Sequence, residues 1–251
     1  MLDIFGGTGH VARSFRRRAR AAIVIDISKH PCLDVPDPNV QQIVVGWIRS
    51  GKVLAVFLAP FCGSWSRARR GPIDYTGPPP PLRSNGYVMG RPGLSPADQQ
   101  RVKQGSASLR FCIRVMRECI KQNIPVGLVN PRTSWMWNAP AMARLLRLRE
   151  VRTVVVDQCQ WGSRWLKPTT LVFACTHNLG SIERRCKRCG LCCSATGKPH
   201  IVLSGIDPKS KKFWTALAQE YHPKFASDIA QLLISSIDTR TMRKLALGFG
   251  N

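Results

Sequence analysis

Acidic residues are scarce in this chain of 251 residues: Asp and Glu number 14 against 38 Lys and Arg, so the formal net charge is +24. An excess of this size repels itself, and proteins commonly use it to bind a polyanion. A long apolar run is also missing, because no stretch approaches the ~20 residues that cross a bilayer. Hydrophobic residues still make up 44% of the chain, too many for a disordered basic tail. We therefore expect a folded protein with a nucleic-acid partner and no membrane partner.

The length is sufficient for one large α/β domain with an appendage. No secretory leader precedes the first predicted strand, so we expect a soluble intracellular protein, nuclear in a eukaryotic cell. In such a compartment the ten cysteines favour free thiols or metal ligands over disulfides. Nothing in the sequence indicates the oligomeric state.

Three glycines within four positions join the first predicted strand, residues 2–5, to a basic helix. Glycine allows a sharp turn and a close approach to a ligand, and a helix start adds free amides. Asp26 ends the next apolar run and follows Gly9 by 17 positions. A spacing of roughly 20 is typical of a glycine turn and an acid that binds a ribose. The pattern favours a nucleotide-type pocket over the alternative, an ordinary strand–turn–helix with a surface aspartate.

A cysteine follows the third predicted strand, residues 53–59, in the segment Pro60-Phe61-Cys62. Alternating strands and helices predict a doubly wound, mostly parallel sheet, in which ligands collect at the carboxyl ends of the strands. A thiol at such an end, beside arginines such as Arg67, has its thiolate form favoured. The alternative is a buried structural thiol.

The first turn has the form Asp-x-Phe-x-Gly-x-Gly and not Gly-x-Gly-x-x-Gly. It resembles the S-adenosylmethionine turn of class I methyltransferases, in particular of the cytosine-5 DNA methyltransferases. The resemblance implies a Rossmann-like α/β fold with a mostly parallel sheet and helices on both faces, here with a small Cys/His-rich insert. It also implies S-adenosylmethionine as cofactor, whose neutral tail needs no phosphate-binding lysine. The cofactor-binding residues implied are Asp3, Phe5, Gly6, Gly7, Gly9, Asp26, Ile27 and Pro60.

The same resemblance implies a function for the Cys62 loop. The family's cysteine adds to carbon 6 of cytosine and thereby activates carbon 5, with DNA favoured over RNA as the substrate. Cys62 matches that nucleophile, although Phe61 stands between it and the proline. Arg67, Arg164 and Lys167 are the residues expected to hold the phosphate or the base.

Residues 161–171 resemble the family's substrate-contacting segment. Trp161 and Trp165 beside cations suit a flipped or single-stranded base. The alternative is a tryptophan-rich hairpin that packs on the sheet. A loop predicted at residues 70–95 contains Arg83 and Arg91, which suit contact with the substrate; a mobile linker is the alternative.

The resemblance fails at Val129, where the family has a glutamate that contacts the cytosine ring and helps protonate it. Loss of a general acid can cost ~10²–10⁴ in rate. Three alternatives therefore stay open beside cytosine-5 methylation. The chain is an impaired or non-catalytic nucleic-acid binder, a methyltransferase for RNA or another nucleic-acid atom, or a zinc-dependent interaction protein with a purely structural glycine turn.

Five cysteines and two histidines fall within residues 175–200. A Cys-x-x-Cys pair followed by a third cysteine and a histidine has the spacing of a zinc knuckle; a reduced, metal-free loop is the alternative. Cys175 is a spare ligand, and Cys192 is an alternative to Cys193. The predicted zinc ligands are Cys186, Cys189, Cys193 and His200.

Three regions are predicted along the chain. Residues 1–175 form the catalytic core, and residues 176–205 form the Cys/His-rich insert. Residues 206–251 form helices that pack back on the core, the first over residues 210–221 and the second from Pro223.

Overall fold

The computed structural model describes residues 1–69, 79–188 and 192–248. Continuous apolar runs form the strands, and amphipathic segments form the helices. The strands are β1 Leu2–Ile4, β2 Ile23–Ile25, β3 Val56–Leu58, β4 Val126–Pro131, β5 Val151–Asp157 and β6 Pro168–Ala174. The helices are α1 His10–Arg16, α2 Pro38–Arg49, α3 Pro96–Lys121, α4 Pro140–Leu146, α5 Trp214–Leu217 and α6 Pro223–Gly248.

The six strands form a sheet in the order β2-β1-β3-β4-β6-β5. The pairs β2–β1, β1–β3 and β3–β4 are parallel, whereas β6 runs antiparallel to both of its neighbours. Five strands therefore point in one direction. The chain moves outward from β1 to β2 and then returns to β3 on the other side of β1. Such a switch point leaves a crevice at the carboxyl ends of β1 and β3, where α/β proteins bind their ligands.

The core has two layers, one on each face of the sheet. One apolar cluster joins the sheet to α2, α3 and α4, and the other joins it to α1 and α6. Because strand side chains alternate between faces, Leu128 lies in the first cluster and Val129 in the second. The predicted fold class is confirmed: a Rossmann-like α/β fold with a mostly parallel sheet and helices on both faces.

The helix predicted from Pro223 is present as α6, which packs against α1. Arg18 Nη2, just after α1, donates to Ser227 Oγ at 2.8 Å. The helix predicted over residues 210–221 is wrong, since only α5 is helical there. Lys211 has a φ of +55°, outside the helical range, and Ile206 pairs with Phe213 as an isolated bridge. Among the helices of the described ranges, none has the length and apolar character required to cross a membrane.

Candidate active site

The turn after β1 depends on its glycines. A Cβ on Gly6 would lie 2.8 Å from Asp3 Cγ and 2.9 Å from Val24 Cγ1, so a side chain would collide there. Gly7 and Gly9 have φ values of +51° and +76°, in the left-handed region that favours glycine. In the described part of the chain, no residue other than the two chain neighbours has an atom within 4 Å of where a Cβ on Gly7 would stand. The turn is therefore sharp, and it is open on the Gly7 side.

Asp26 lies just after β2 and its carboxylate faces the turn. Oδ2 accepts a hydrogen bond from the Gly7 amide at 2.9 Å, and Oδ1 accepts one from the Ser28 amide at 2.8 Å. Partial burial opposes ionisation, but these hydrogen bonds outweigh it and lower the pKa of Asp26. A carboxylate offers about four acceptor sites, so lone pairs remain for a ribose hydroxyl. Ile27 follows with 57% of its surface exposed and offers an apolar face.

Asp3 lies beneath the turn rather than on its surface. Its side chain is buried in β1, and Oδ2 accepts a hydrogen bond from the Ala12 amide in α1 at 3.0 Å. Burial raises the pKa of Asp3 to about 6. Phe5, the next predicted cofactor residue, has a φ of +57°, which an L-residue adopts at some cost in strain. Asp3 thus holds β1 and α1 in the arrangement that forms the turn.

The Cys62 loop leaves the carboxyl end of β3, as the sequence predicts. Asn130 Nδ2, at the end of β4, donates to the Pro60 carbonyl at 3.0 Å. The Cys62 carbonyl accepts from the Trp65 amide at 2.9 Å and starts the 3₁₀ turn Gly63–Trp65. Within the described residues, the buried Oδ1 of Asn130 has no hydrogen-bond partner. The loop is therefore fixed to the neighbouring strand, and an acceptor stays available beside it.

Arg83 anchors the other side of the Cys62 loop. Its side chain is 1% exposed, and Nη2 donates to Ser64 Oγ at 3.1 Å and to the Val102 carbonyl at 2.9 Å. The guanidinium carbon lies 3.3 Å from the centre of the Trp65 ring. Burial lowers the pKa of Arg83 to about 10. The expectation that Arg83 contacts substrate is wrong, because its charged group is enclosed between this loop and α3.

Lys167, just before β6, is an electrostatic neighbour of Cys62. Burial raises the pKa of the Cys62 thiol, so the expectation that its position favours the thiolate is wrong, although the Lys167 ammonium opposes the rise. Burial lowers the pKa of Lys167 to about 8, and Cys62 opposes that fall. Lys167 Nζ donates to the Ala218 carbonyl and lies 5.5 Å from the centre of the Tyr221 ring. Burial, Cys62 and Asp3 all raise the pKa of Tyr221, so its phenol is an electrostatic neighbour of both the thiol and β1.

The two predicted arginines lie in different settings. The Arg67 guanidinium lies 3.7 Å from the centre of the Trp135 ring, and Nη2 lies 3.4 Å from Asn138 Oδ1. Arg164 is exposed, with its guanidinium 5.7 Å from the centre of the Trp214 ring. Their contacts with a phosphate or a base stay a prediction.

Trp161 is a core residue and not a stacking platform. It is 2% exposed, its ring centre lies 4.9 Å from that of Phe225, and Nε1 donates to Asp228 Oδ2 at 2.8 Å. The prediction that Trp161 stacks on a base is wrong, and packing on the sheet is its role. Trp165 is partly buried.

Val129 lies deep in the core layer formed with α1 and α6. It pairs with Leu171 of β6 and is fully buried in the cluster that contains Phe225. Asn130, the next residue, bonds to Pro60 instead. An acid at position 129 would therefore point into apolar packing in this arrangement.

A group of cysteine and histidine side chains lies beside the hairpin of β5 and β6. One ligand atom from each of Cys159, Cys186, Cys193 and His200 lies within 4.8 Å of the other three. The sequence predicts three members of this group. Cys189 lies outside the described residues. Cys159 was not expected; it follows β5 and is far from the others along the chain, so spacing gives no signal for it.

The two other predicted candidates, Cys192 and Cys175, are not in this group within the ranges described. Cys175 instead packs at the edge of the α2–α4 core layer. The nine described cysteines are all free thiols.

A groove of about 500 Å³ lies between the start of β6 and the Cys/His-rich insert. Lys167 and Arg188 provide positive charge at its wall, and His200 and Val202 face it from the insert. Val202 is largely exposed. This groove therefore combines positive charge with apolar surface. Lys167, the electrostatic neighbour of Cys62, lies at its wall.

No family model matches the chain, and no curated protein matches it. Among solved structures, the Entamoeba histolytica methyltransferase EhMeth aligns with a TM-score of 0.43 and 13% identity, over 82% of this chain and 59% of that one. A mutant of Spodoptera frugiperda DNMT2 aligns with a TM-score of 0.34 and 11% identity, over 82% of this chain and 58% of that one. The chain thus spans less than two thirds of the length of either protein.

Proposed function

We propose that this chain is an S-adenosylmethionine-dependent methyltransferase that modifies carbon 5 of cytosine in DNA through a covalent bond to Cys62. The observation that carries the proposal is the position of two loops. The glycine turn follows β1 and the Cys62 loop follows β3, and these strands are adjacent and parallel, with Ile4 paired to Leu58. Both loops therefore border the crevice at the switch point of the sheet. A nucleotide cofactor and a nucleophile can share that crevice.

The residues of the turn fit the cofactor. The open side of Gly7 allows close approach, Asp26 retains acceptor sites for ribose hydroxyls, and the exposed Ile27 suits the face of a base. The buried Oδ1 of Asn130, without a partner in the described ranges, adds an acceptor near Pro60. When bound, S-adenosylmethionine supplies an electrophilic methyl group. The protein's contribution is to orient that group toward the base and to exclude water.

Cys62 acts on the base as its thiolate, and the Lys167 ammonium favours that form. Sγ would bond to carbon 6, and the electron pair of the 5,6 double bond would move to carbon 5, the atom that the bound cofactor would methylate. Carbon 5 would then release its proton to solvent water, and expulsion of the thiolate would restore the double bond. With Val129 in place of an acid, Lys167, whose pKa is about 8, is the ionisable group proposed to hold or give a proton at the base.

The net charge and the groove support nucleic acid as the substrate. Lys and Arg neutralise phosphates and release counterions, which gives strong, salt-dependent binding. The groove beside Lys167 and Arg188 has apolar surface as well as charge, which suits a base turned out of its stack. Exposed Arg164 lies close to this region in the chain and suits a phosphate.

The test is methyl transfer from tritiated S-adenosylmethionine to cytosine-containing DNA and RNA, with the full chain. We expect label at carbon 5 of DNA cytosine, and a loss of at least 10²-fold in Cys62→Ala. Cys32→Ala is the matched control, because Cys32 is an exposed thiol outside the site. Methyl transfer to RNA and not to DNA would show that RNA is the substrate. Full activity of Cys62→Ala would overturn the thiol mechanism.

A second candidate function is non-catalytic nucleic-acid binding, and Val129 is the observation that favours it. The buried valine removes the acid that the resemblance implies. This candidate predicts saturable binding of both S-adenosylmethionine and DNA without methyl transfer to any nucleic acid. Calorimetry beside the transfer assay separates the two functions.

A further inference from the structure

We propose that Cys159, Cys186, Cys193 and His200 bind one Zn²⁺ in a closed tetrahedral site. Their ligand atoms all lie within 4.8 Å of one another, and Cys186 Sγ lies 3.8 Å from His200 Nε2. With Zn–S of about 2.3 Å and Zn–N of about 2.0 Å, the ligand atoms of a regular tetrahedron lie about 3.5–3.8 Å apart. The group therefore needs only a small contraction to enclose the ion.

Backbone and side-chain N–H groups are directed at the three sulfurs of the group. The Ser194 amide points at Cys186 Sγ at 3.5 Å, and the Ala195 amide points at Cys193 Sγ at 3.4 Å. Gln160 Nε2 lies 3.6 Å from the third sulfur. Such N–H groups stabilise negative charge on metal-bound sulfur and fix its orientation.

The ligand set specifies the metal and its role. Three sulfurs and one imidazole nitrogen are a typical donor set of structural zinc, whereas Mg²⁺ and Ca²⁺ require oxygen. No carboxylate belongs to the group among the described residues, and four protein ligands leave no open position for a water. The site is therefore structural and not catalytic.

The proposed metal joins the insert to the sheet. Asp157, the last residue of β5, already holds the insert: its Oδ2 accepts from the Cys186 amide at 2.8 Å and from Arg185 Nε at 2.9 Å. Cys159 follows Asp157 by two positions, so a bond from its sulfur to zinc would fasten three chain segments at one point. His200 also faces the groove beside Lys167, so the metal would fix one wall of that groove.

The test uses the full chain, purified under reducing conditions. Metal analysis should give one zinc per chain, and Co²⁺ substitution should give the absorption bands of tetrahedral cobalt with thiolate ligands. Cys159→Ser should lower zinc affinity at least tenfold. Cys192→Ser is the matched control, since that cysteine neighbours Cys193 but lies outside the group, and its zinc content should not change.

Two results would overturn the proposal. One is absence of bound zinc and of the cobalt spectrum in the wild-type chain. The other is unchanged zinc affinity in Cys159→Ser together with loss of zinc in Cys189→Ser. Should Cys159→Ser fail to fold, X-ray absorption decides: the wild type must show three sulfurs and one nitrogen, and His200→Cys must show four sulfurs. Any other donor count contradicts the assignment.

Discussion

The Asp26 carboxylate accepts a 2.9 Å hydrogen bond from the Gly7 amide, and this bond joins the end of β2 to the turn after β1. The turn is therefore held in its shape before any ligand binds. Preorganisation of this kind reduces the ordering cost of binding. The Asp26 carboxylate therefore has two roles: it fixes the turn, and it presents its remaining lone pairs to the crevice.

Asp26→Ala should weaken S-adenosylmethionine binding at least tenfold, since both the turn's clamp and a ribose acceptor are lost. Asp26→Asn should have a smaller effect, because an amide oxygen can still accept the Gly7 bond. Asp34→Ala is the control, a nearby acid with no role in the turn. Isothermal calorimetry measures the three affinities. Equal affinity for Asp26→Ala and the wild type would remove Asp26 from the site.

Lys167→Met should slow alkylation of Cys62 several-fold at pH 7, where Lys167, with a pKa of about 8, is mostly protonated. The ammonium opposes the rise in the thiol's pKa, so its removal raises that pKa further and lowers the thiolate fraction. Mass spectrometry of the Cys62 peptide after timed iodoacetamide treatment gives the rate. Exposed Cys32 in the same sample is the internal control. An unchanged or faster rate at Cys62 would show that Lys167 does not act on the thiol.

Gly105→Ala should destabilise the protein by about 1–3 kcal/mol, the usual effect of overpacking. A Cβ there would lie 2.2 Å from Ser64 Oγ and 3.3 Å from Arg83 Nη2, where the Cys62 loop docks on α3. Gly46→Ala is the matched control in α2. Apart from its two chain neighbours and the adjacent backbone of its own helix, no described residue has an atom within 4 Å of its added Cβ. It should gain about 1 kcal/mol from helix propensity. Urea unfolding measures the stability of both variants. Equal stabilities would contradict the close packing of Gly105 against the Cys62 loop.

Asp3→Asn should remove a pH dependence of stability. Burial raises the pKa of Asp3 from 3.8 to about 6, so the folded chain binds more protons than the unfolded chain between these values. The free energy of unfolding therefore falls as pH rises from about 4 to about 6 and then levels off, by up to about 3 kcal/mol. The asparagine side chain keeps an oxygen that can accept the hydrogen bond from the Ala12 amide. It does not titrate, so it does not cause this fall in the free energy of unfolding. Urea unfolding at pH 4.5 and 7.5 measures the free energy of unfolding of both proteins. It should rise for the variant relative to the wild type as pH rises. A difference that stays constant between the two pH values would contradict the raised pKa of Asp3.

Much of the sheet could be predicted because its strands are continuous apolar runs. The alternation with helices also predicts parallel pairing, and thus the meeting of the glycine turn and the Cys62 loop at one edge. A continuous apolar run does not show whether its strand lies at the centre or at the edge of the sheet. Ile23 lies in such an apolar run but is 49% exposed, because β2 ends the sheet.

The parts of the site that could not be predicted depend on contacts distant along the chain. A basic residue in a proline-rich stretch reads as a surface cation, yet Arg83 is enclosed because Ser64 and Val102 supply its acceptors. Trp161 reads as an exposed aromatic beside cations, yet α6 covers it. Local patterns do not specify which element covers which residue.

The most direct test of the central claim, that Cys62 attacks a base beside the glycine turn, is covalent trapping on DNA that contains 5-fluorocytosine. Fluorine at carbon 5 cannot leave as a proton does, so the bond from Sγ to carbon 6 persists once the methyl group has been transferred. With saturating DNA and S-adenosylmethionine, we predict a stable protein–DNA adduct that mass spectrometry maps to Cys62 and that is absent in Cys62→Ala. Saturated binding without an adduct, or an adduct on another residue, would contradict the account.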